Sequence, residues 1–548
     1  MRRQAILALA MQKNHPSSEQ GLAASGMIEM DAPVTRREIR LVYAGFMVVM
    51  ALAALDQSIV STALPRIVSD LGGVAYLSWI VTAYVLASTS VIPLYGKLSD
   101  QYGRKPLIYS AVAIFLIGSV LCAFATSMMQ LLIFRVIQGL GAGGLVPLSQ
   151  IIIGDLVPPR ERGRYQGNIG MVYAAAIMGG PILGGIIADA LSWHWIFLIN
   201  LPIGLAAFVM IALTLRRRHV PRRRSIDFLG AALLAGATSG LLLMLSLGGR
   251  VWPWLSLESL GMTIGTIVLI GLFIWRERHA EEPVMPLLLF RNKVFVLAIL
   301  VTALTFMCTQ GAGVYYPLFF QIVYGVKMSN SGWLSAPMMI GTVISARVNG
   351  QIVVRTGRYK KTMVGGLLMG FFGYIFLVAA SSTAQPIYLI EICLLIIGLA
   401  FGTVTPNMVV AVQNAVDIEH MGAATAATTF FRALGGVTGV AACGAILTAS
   451  LTDQFTSNTM PIKLDGATLL KGGIVQVMAL PPEANLVAVE IYRQAIASVF
   501  ALGIFCSLLA FGLTLLLPEL PLRTRVGPSE EPKPSQPLQP QDRILQEK

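Results

Sequence analysis

The sequence predicts an all-α protein that crosses a membrane many times. Its 548 residues are 55% hydrophobic and only 12% charged, whereas an ordinary soluble domain has about 25% charged residues. Its mean hydropathy is +0.72. Apolar runs of about 18 residues or more, the length that a helix needs to cross the hydrocarbon core, recur along almost the whole chain. A membrane β-barrel would show short alternating segments instead, and the sequence lacks them.

The apolar runs predict about fourteen spanning helices, with ends placed to within about 2–4 residues. They are separated by short segments that concentrate the charged residues, prolines and many of the glycines. In chain order the predicted spans are 41–63, 78–97, 107–126, 130–153, 167–188, 195–215, 228–247, 258–275, 294–322, 330–353, 363–381, 386–412, 424–449 and 492–516.

The charges of the loops predict the orientation of the chain. Alternate loops carry clusters of Lys and Arg, such as the run 216–224, whereas the opposite loops hold isolated cations. The positive-inside rule places the basic loops and both termini in the cytoplasm. The same rule explains the net charge of +13, and no nucleic-acid partner is expected because the basic residues form no continuous face.

An internal repeat divides the chain into two halves. The pattern of Gly139–Pro147 recurs in Gly398–Pro406, and the glycines and arginine of Gly96–Arg104 recur in Gly350–Arg358. Duplicated halves place a substrate site at their interface near the bilayer midplane. The predicted domains are a cytoplasmic segment 1–40, a six-helix bundle 41–215, an inserted helix pair with basic linkers 216–293, a six-helix bundle 294–516 with an outer loop 451–490, and a disordered tail 517–548.

The sequence offers no motif for a metal, an organic cofactor or a nucleotide. The five cysteines lie singly in apolar runs and are interpreted as small hydrophobic residues. The sequence contains no phosphate-binding loop, nucleophile elbow or metal-spaced histidine set, and no filter-like loop. These observations argue against a membrane enzyme, an ATP-driven pump and a channel, and no cofactor is expected.

Asp56 and Arg135 are the candidate groups for proton coupling. Asp56 lies well inside the first apolar run, and Arg135 lies at a similar expected depth in the fourth. An ionisable residue at that depth is costly and is a functional candidate by default. Pairing would hold Asp56 ionised until substrate or a conformational change separates the two. The alternatives left open are that Asp56 only caps a helix irregularity or hydrogen-bonds a neighbour, and that the pair is a purely structural salt bridge.

The segment Gly96–Pro106 is a candidate conformational gate. Its sequence predicts a short polar loop between two long apolar runs. Gly96 and Gly103 permit close approach of the backbone to a neighbouring segment, or a positive φ. Asp100 can reach Arg104 or the N-terminus of a helix. We expect Asp100, with Arg104, to dock the first half against a helix end of the second on the cytoplasmic side, which would stabilise the outward-open state.

The fifth apolar run carries a spaced set of small residues. Such residues let helix backbones approach closely, and proline bends a helix. The set consists of Gly167, Ala176, Gly180, Pro181, Gly184 and Gly185.

These motifs together resemble the major facilitator superfamily. Gly96–Pro106 resembles the family's signature between its second and third helices. Arg135–Gly139 resembles the family's fourth-helix motif, and the arginine of that motif is associated with proton coupling. The fifth-helix set resembles the motif associated with antiporters, with Ala176 where the family usually has glycine. This resemblance implies two six-helix bundles plus two inserted helices.

A finer resemblance concerns one branch of that family. The segments Trp193–Gly204 and Asp227–Gly230, with the surroundings of Asp56, resemble the fourteen-helix drug:proton antiporters. The two tryptophans also suit a generic aromatic belt at the membrane interface. The resemblance covers about residues 40–450 and implies a multidrug efflux transporter.

Aromatic and charged residues inside the predicted bundle are candidates for the wall of a substrate cavity. Aromatic surfaces accept varied apolar shapes, although each such residue also suits ordinary helix packing. Glu391 lies near an outer helix end, where it could either line the cavity or reach the membrane interface, and Arg432 lies deeper. The candidate set is Tyr84, Tyr173, Phe306, Tyr316, Glu391, Phe431 and Arg432.

Two functions fit this sequence. The first is proton-coupled export of amphipathic drugs or toxic lipophilic compounds across a bacterial inner membrane by alternating access. The second is export of one metabolite, lipid or siderophore on the same scaffold. The expected partners are a lipophilic small molecule, protons and the lipid bilayer, with the chain as a monomer. An envelope partner at loop 451–490 is an open alternative.

Overall fold

The computed structural model describes residues 36–72, 76–214, 227–248, 252–253, 256–383, 385–457 and 480–522. Within these ranges the chain has no β-strand, and fourteen long helices match the predicted spans, so the predicted all-α fold is confirmed. The helices are α1 Arg36–Leu71, α2 Leu77–Tyr102, α3 Arg104–Ala123, α4 Met128–Leu156, α5 Pro159–Ala190, α6 His194–Thr214, α7 Phe228–Leu247, α8 Leu257–His279, α9 Lys293–Val323, α10 Ala336–Thr356, α11 Lys360–Ser382, α12 Ile387–Ala415, α13 Met421–Ser457 and α14 Pro482–Leu515.

Thirteen of the described helices are long and apolar enough to cross a membrane. The fourteenth is α10, whose hydropathy is lowered by Arg347, Asn349 and Arg355. It packs against α5 and α12 and so occupies the place of a spanning helix in the bundle.

Gly96–Pro106 is helical rather than a polar loop. α2 continues to Tyr102, α3 begins at Arg104, and Gly103 alone joins them with φ of +92°. A glycine adopts this angle at little cost, so one residue is enough to turn the chain. The charged side chains therefore project from two helix ends and are held more firmly than in a loop.

The predicted outer loop 451–490 is shorter in the structure. α13 extends to Ser457, and α14 begins at Pro482, because a proline suits the first turn of a helix, where its missing N–H has no intrahelical partner. Residues 458–479, residues 1–35 and the tail beyond 522 lie outside the described part. Leu517 and Leu522, at the start of the predicted tail, are buried.

The helices form two halves, α1–α6 and α9–α14. Two hydrophobic clusters fill the first half, whereas one large cluster and one small cluster fill the second. The halves meet where α2 packs on α13 and α5 packs on α10. We call the end of the bundle that carries the clusters at Lys97–Lys105, Arg160–Arg164 and Arg355–Lys361 the basic face, and the other end the opposite face.

The inserted pair α7–α8 lies on the outside of the α2–α13 contact. α7 packs on both of these helices. At the basic face the pair is joined to α2 by the Lys97–Glu282 ion pair, at 2.6 Å. Asp227 at the start of α7 accepts from Arg276 near the end of α8 at 3.0 Å, which ties the pair together.

Candidate functional site

Asp56 and Arg135 meet in the interior of the first half. Asp56 Oδ2 accepts from Arg135 Nη1 at 3.0 Å, and the two side chains are 0% and 1% exposed. The pair joins the middle of α1 to α4. Removing one member of such a buried pair generally destabilises a protein by about 3–5 kcal/mol, because the other charge is left without compensation.

Uncharged side chains complete the surroundings of Asp56. Its Oδ1 accepts from Gln138 Nε2 at 2.8 Å and from Asn200 Nδ2 at 2.7 Å. Both amides also donate to Ser119 Oγ, at 3.3 and 2.9 Å. Arg135 Nη1 donates to Gln138 Oε1 at 2.7 Å. Residues from α1, α3, α4 and α6 thus form one buried network, which we call the Asp56 cluster.

The sequence analysis missed Ser119, Gln138 and Asn200. Gln138 lies three residues after Arg135, a spacing that puts both on one helix face. Asn200 is a single amide within the apolar run 195–203. These two signals are visible in the sequence, whereas Ser119 has none.

Tyr84 separates the Asp56 cluster from a large central cavity. The guanidinium carbon of Arg135 lies 4.2 Å from the centre of the Tyr84 ring, a cation–π geometry. Tyr84 also lines the cavity, whereas Asp56 and Arg135 do not. One aromatic ring therefore lies between the buried charges and the cavity.

The central cavity lies between the two halves and has a volume of about 1550 Å³. Five of the predicted residues line it, namely Tyr84, Tyr173, Phe306, Tyr316 and Arg432. Its wall is largely apolar and aromatic, with several Gln and Thr side chains. This composition suits amphipathic molecules of varied shape.

Two predicted cavity residues are misplaced. Phe431 packs against Phe290 and Phe430, with ring centres 6.4 and 5.5 Å apart, because its position on α13 points away from the cavity. Glu391, five residues into α12, does not line the cavity either. The depth of both residues could be inferred from the sequence, whereas the rotation of their helices could not.

The cavity reaches the opposite face and is closed at the basic face. Its lining includes Trp79 and Ser335, at the opposite-face ends of α2 and α10, and extends toward the basic face to Gln150 and Thr429. There, Thr429 Oγ1 donates to Gln150 Oε1 at 3.2 Å, so the two halves are in contact beneath the cavity.

Asp100 docks the first half against the second at the basic face. Its carboxylate accepts from the backbone N–H of Ala423 at 2.9 Å and of Gly422 at 3.2 Å, at the N-terminus of α13. The helix dipole also favours an anion here. Arg104 donates to Asp100, and to Asp155 at 2.9 Å. A methyl group on Gly96 would collide with Ala426, so its hydrogen permits the close approach of α2 and α13.

Two arginines in the first turn of α5 form a second connection between the halves. Arg160 donates to the backbone oxygens of Val354 and Arg355, at 2.9 and 3.2 Å. Arg162 is buried and donates to Gln413 at 3.3 Å. Val354 is the repeat counterpart of Asp100 and has no carboxylate to offer, so here the contact uses its carbonyl oxygen instead.

The small residues of α5 serve two different contacts. Added Cβ atoms on Gly180 and Gly184 would collide with Ser58 and Thr62 of α1, whereas one on Gly167 would lie 2.7 Å from the carbonyl oxygen of Ala346 on α10. A Cβ on Gly185 would meet nothing within 4 Å. Pro181 lies within the same helix. The predicted set therefore divides between packing inside the first half and packing between the halves.

The described residues contain no group of three or more His, Cys, Asp or Glu side chains able to hold a metal ion. All five cysteines are buried and free.

Two six-helix halves that enclose a central cavity closed at one face define a polytopic membrane transporter fold. The chain belongs to the Major Facilitator Superfamily, whose sequence model matches residues 46–440. The family resemblance noted in the sequence is thereby confirmed.

Individual relatives agree with this membership. Multidrug transporter protein MdtP of Bacillus subtilis is 36% identical over 421 residues, which cover 77% of each chain. Multidrug resistance protein 3 of the same organism is 34% identical, over 76% of this chain and 81% of the relative. Among solved structures, the human organic anion transporter MFSD10 has a TM-score of 0.59 at 16% identity, covering 87% of this chain and 99% of that one. This structural likeness concerns the fold alone.

Proposed function

We propose that this protein exports amphipathic drugs or other toxic lipophilic molecules in exchange for protons, by alternating access. The observation that carries the proposal is the buried Asp56 cluster, one aromatic ring away from a large, mainly apolar cavity. The names of the relatives at 34–36% identity support drug export.

The proposed cycle assigns separate tasks to the cluster and to the basic face. The described state has its cavity open toward the opposite face, which the loop charges place outside the cell. A proton that reaches Asp56 from outside neutralises the carboxylate and weakens its contact with Arg135. The contacts of Asp100 and Arg160 then break, the cavity opens to the cytoplasm, and the proton leaves as substrate binds.

The proposed setting is the inner membrane of a bacterium, with both termini in the cytoplasm and the chain as a monomer. No cofactor is required, because the proton gradient supplies the energy. The alternative, export of one metabolite, lipid or siderophore, predicts that a deletion strain accumulates that compound. Drug export predicts instead that the strain becomes sensitive to several unrelated drugs.

Asp56→Asn tests the coupling role. The amide cannot release a proton, so we expect pH-driven uptake of a lipophilic dye into everted vesicles to fall to the background level. Asp417→Asn, which removes an exposed carboxylate at the basic face, is the matched control and should transport normally. Undiminished transport by folded Asp56→Asn protein would contradict the proposal.

A further inference from the structure

Arg432 is a charged group of the cavity that the proposed proton cycle does not use. It lies on α13, lines the cavity, and places its guanidinium carbon 5.3 Å from the centre of the Phe306 ring. It has no ion pair or hydrogen bond within the described part of the chain. A cation that is partly withdrawn from water and unpaired in this way is costly unless a ligand compensates it.

The rest of the cavity wall, as far as the structure describes it, offers no opposite charge. Arg432 is the only Asp, Glu, Lys, Arg or His among the described lining residues. Asp56 lies behind Tyr84 and is neutralised by Arg135, and Glu391 is outside the cavity. A cationic ligand would therefore meet only a like charge, whereas an anionic ligand would find its counter-ion.

The groups near Arg432 suit an anion with an aromatic or apolar body. Gln310 of α9 lies over Gly436, one turn along α13 from Arg432, with its Cγ 3.4 Å from the position of an added Cβ there. Phe306 supplies an apolar surface, and both Gln310 and Phe306 line the cavity. These residues all belong to the second half, whereas the Asp56 cluster belongs to the first.

We propose that the cavity selects amphipathic anions, such as carboxylates and sulfonates on a lipophilic body, and that Arg432 binds their charge. This inference rests on the proposed export function and names its substrate class. Because the charge site and the Asp56 cluster lie on different halves, the substrate does not displace the proton directly. The two are coupled through the movement of the halves.

Direct binding to the purified full-length protein tests this proposal without any gradient. Two fluorescent probes carry the same dansyl group and linker, one ending in a sulfonate and the other in a trimethylammonium. We expect the wild type to bind the sulfonate at least about tenfold more tightly, since a charge-assisted contact is generally worth about 1.5–3 kcal/mol. Arg432→Gln should abolish this preference, and Arg432→Lys should retain part of it.

Arg278→Gln removes an exposed arginine at the basic face and should leave both affinities unchanged. Tighter binding of the ammonium probe by the wild type, or an unchanged preference in Arg432→Gln, would overturn the proposal. Comparing the affinities of the wild type for the two probes tests the proposal even if the variants fold poorly. A sulfonate preference without transport in vesicles would reject the export function while leaving the binding preference intact.

An independent observation concerns the contact between α5 and α10. Small residues four positions apart face each other across it: Gly163 lies against Gly350, and Gly167 against Ala346. An added Cβ on Gly350 would lie 2.7 Å from the carbonyl oxygen of Gly163. The two backbones therefore touch, as in other close contacts between membrane helices.

The residue that follows each of these four positions is polar, and the four together line a small cavity of about 60 Å³. They are Arg164, Asn168, Arg347 and Gln351. Both arginines are exposed, and neither has an ion-pair partner among the residues described. On α10 the same helix face continues at Ile344 and Ile340, 48% and 50% exposed, so the site adjoins an apolar surface suited to lipid.

We infer that Arg164 and Arg347 bind the phosphate of an anionic phospholipid, whose acyl chains lie along Ile344 and Ile340. Basic pockets between membrane helices near the cytoplasmic surface suit such headgroups. One arginine comes from each half, so a bound phosphate would hold α5 against α10 and favour the state with a closed basic face.

Photoactivatable phosphatidylglycerol tests this inference on the full-length protein. We expect the wild type to be crosslinked within residues 163–175 and 340–351. Labelling of the double variant Arg164→Gln/Arg347→Gln should be at least about tenfold lower than that of the wild type. Arg278→Gln/Lys361→Gln, with the same change of charge at exposed sites, is the matched control. Equal labelling of both double variants, or equal competition by inorganic phosphate and by unlabelled phosphatidylglycerol, would refute a lipid site. Crosslinking of the wild type outside residues 163–175 and 340–351 would also refute a lipid site at this position, without the need for any variant.

Discussion

Asp56 is held by donors from two helices other than its own, and that arrangement decides how it can respond to a proton. Arg135 and Gln138 approach from α4, and Asn200 from α6. The two carboxylate oxygens accept from all three of these side chains. Protonation must therefore loosen several contacts together, which links one proton to the packing of three helices.

Asn200→Leu should weaken the Asp56 cluster without removing the carboxylate. We expect a loss of about 1–3 kcal/mol in stability, since Ser119 and Asp56 each lose a buried partner. We also expect proton-driven dye transport to slow, because Asp56 loses the contact that joins it to α6. Thermal unfolding and the rate of dye transport measure the two effects.

Gln494→Leu, an exposed amide replaced on α14, is the control for Asn200→Leu. A loss of stability with an unchanged rate of transport would show that Asn200 has a structural role only.

The sequence identified the two charged members of the cluster but not its neutral ones. A carboxylate and a guanidinium inside apolar runs stand out because burying either is costly. A serine or an amide at the same depth carries a much smaller penalty, and its partner depends on how the helices are rotated. The same uncertainty explains why Arg432 was placed correctly in the cavity while Phe431, the adjacent residue, was not.

Among the helices, α5 shows how glycine positions distinguish two contacts. Gly184 faces α1, where an added Cβ would lie 2.8 Å from the carbonyl oxygen of Ile59. Gly185 is the next residue and faces open space. The sequence pattern alone treats the two as equivalent.

Gly184→Ala and Gly185→Ala should therefore differ. The first forces α1 and α5 apart, and we expect a loss of about 1–3 kcal/mol, as for other overpacked contacts. The second should be neutral or slightly stabilising, because alanine favours a helix more than glycine does. Thermal unfolding in detergent compares the pair, and equal effects would contradict the assignment of these two faces.

At the scale of the helices, the contact between α2 and α13 is the proposed gate. Its Asp100 bridges the halves through two backbone N–H groups, and no local sequence feature could show which helix end would receive it. The one-residue turn at Gly103 was equally hidden, since a charged segment between apolar runs normally predicts a loop.

Asp100→Asn should shift the protein toward the state that opens at the basic face. Loss of the charged contact to the α13 N-terminus removes about 1.5–3 kcal/mol, or roughly a 10- to 100-fold change in the ratio of states. Val353, buried beside Gly163 in the contact between α5 and α10, offers a reporter when replaced by cysteine. We expect its labelling by a polar maleimide to accelerate accordingly.

Glu161→Gln, which removes an exposed carboxylate from the same face, should leave the labelling of that cysteine unchanged. Labelling of the Asp100→Asn protein at the wild-type rate would show that the contact does not control opening.

At the scale of the whole molecule, the repeat in the sequence revealed the two halves but not how the inserted pair covers them. Helices α7 and α8 have no counterpart in the repeat, so nothing in the sequence indicated where they pack. The structure places them over the α2–α13 contact, with Lys97–Glu282 adjacent to the gate. Among the described helices none covers the α5–α10 contact in this way, which leaves its lipid-facing side open to the membrane.

The charge of the substrate determines how the membrane potential drives the proposed exchange. Export of a monovalent anion against one proton moves two positive charges inward, whereas export of a neutral molecule moves one. Each charge is worth about 2.3 kcal/mol per 100 mV. At about 100 mV, the potential therefore supplies roughly 4.6 kcal/mol for export of the anion, which corresponds to a little over three orders of magnitude in accumulation. For the neutral molecule it supplies about half as much energy, which corresponds to fewer than two orders of magnitude.

Collapsing the potential in everted vesicles with valinomycin and potassium, at a constant pH gradient, should therefore reduce accumulation of the dansyl sulfonate much more than that of a neutral dansyl amide. Arg432→Gln alters affinity but not the number of charges moved, so any residual transport of the sulfonate should keep its dependence on potential. Equal sensitivity of the two probes would contradict a common stoichiometry of one proton per substrate. Insensitivity of both would contradict net inward charge movement and, with it, this form of proton exchange.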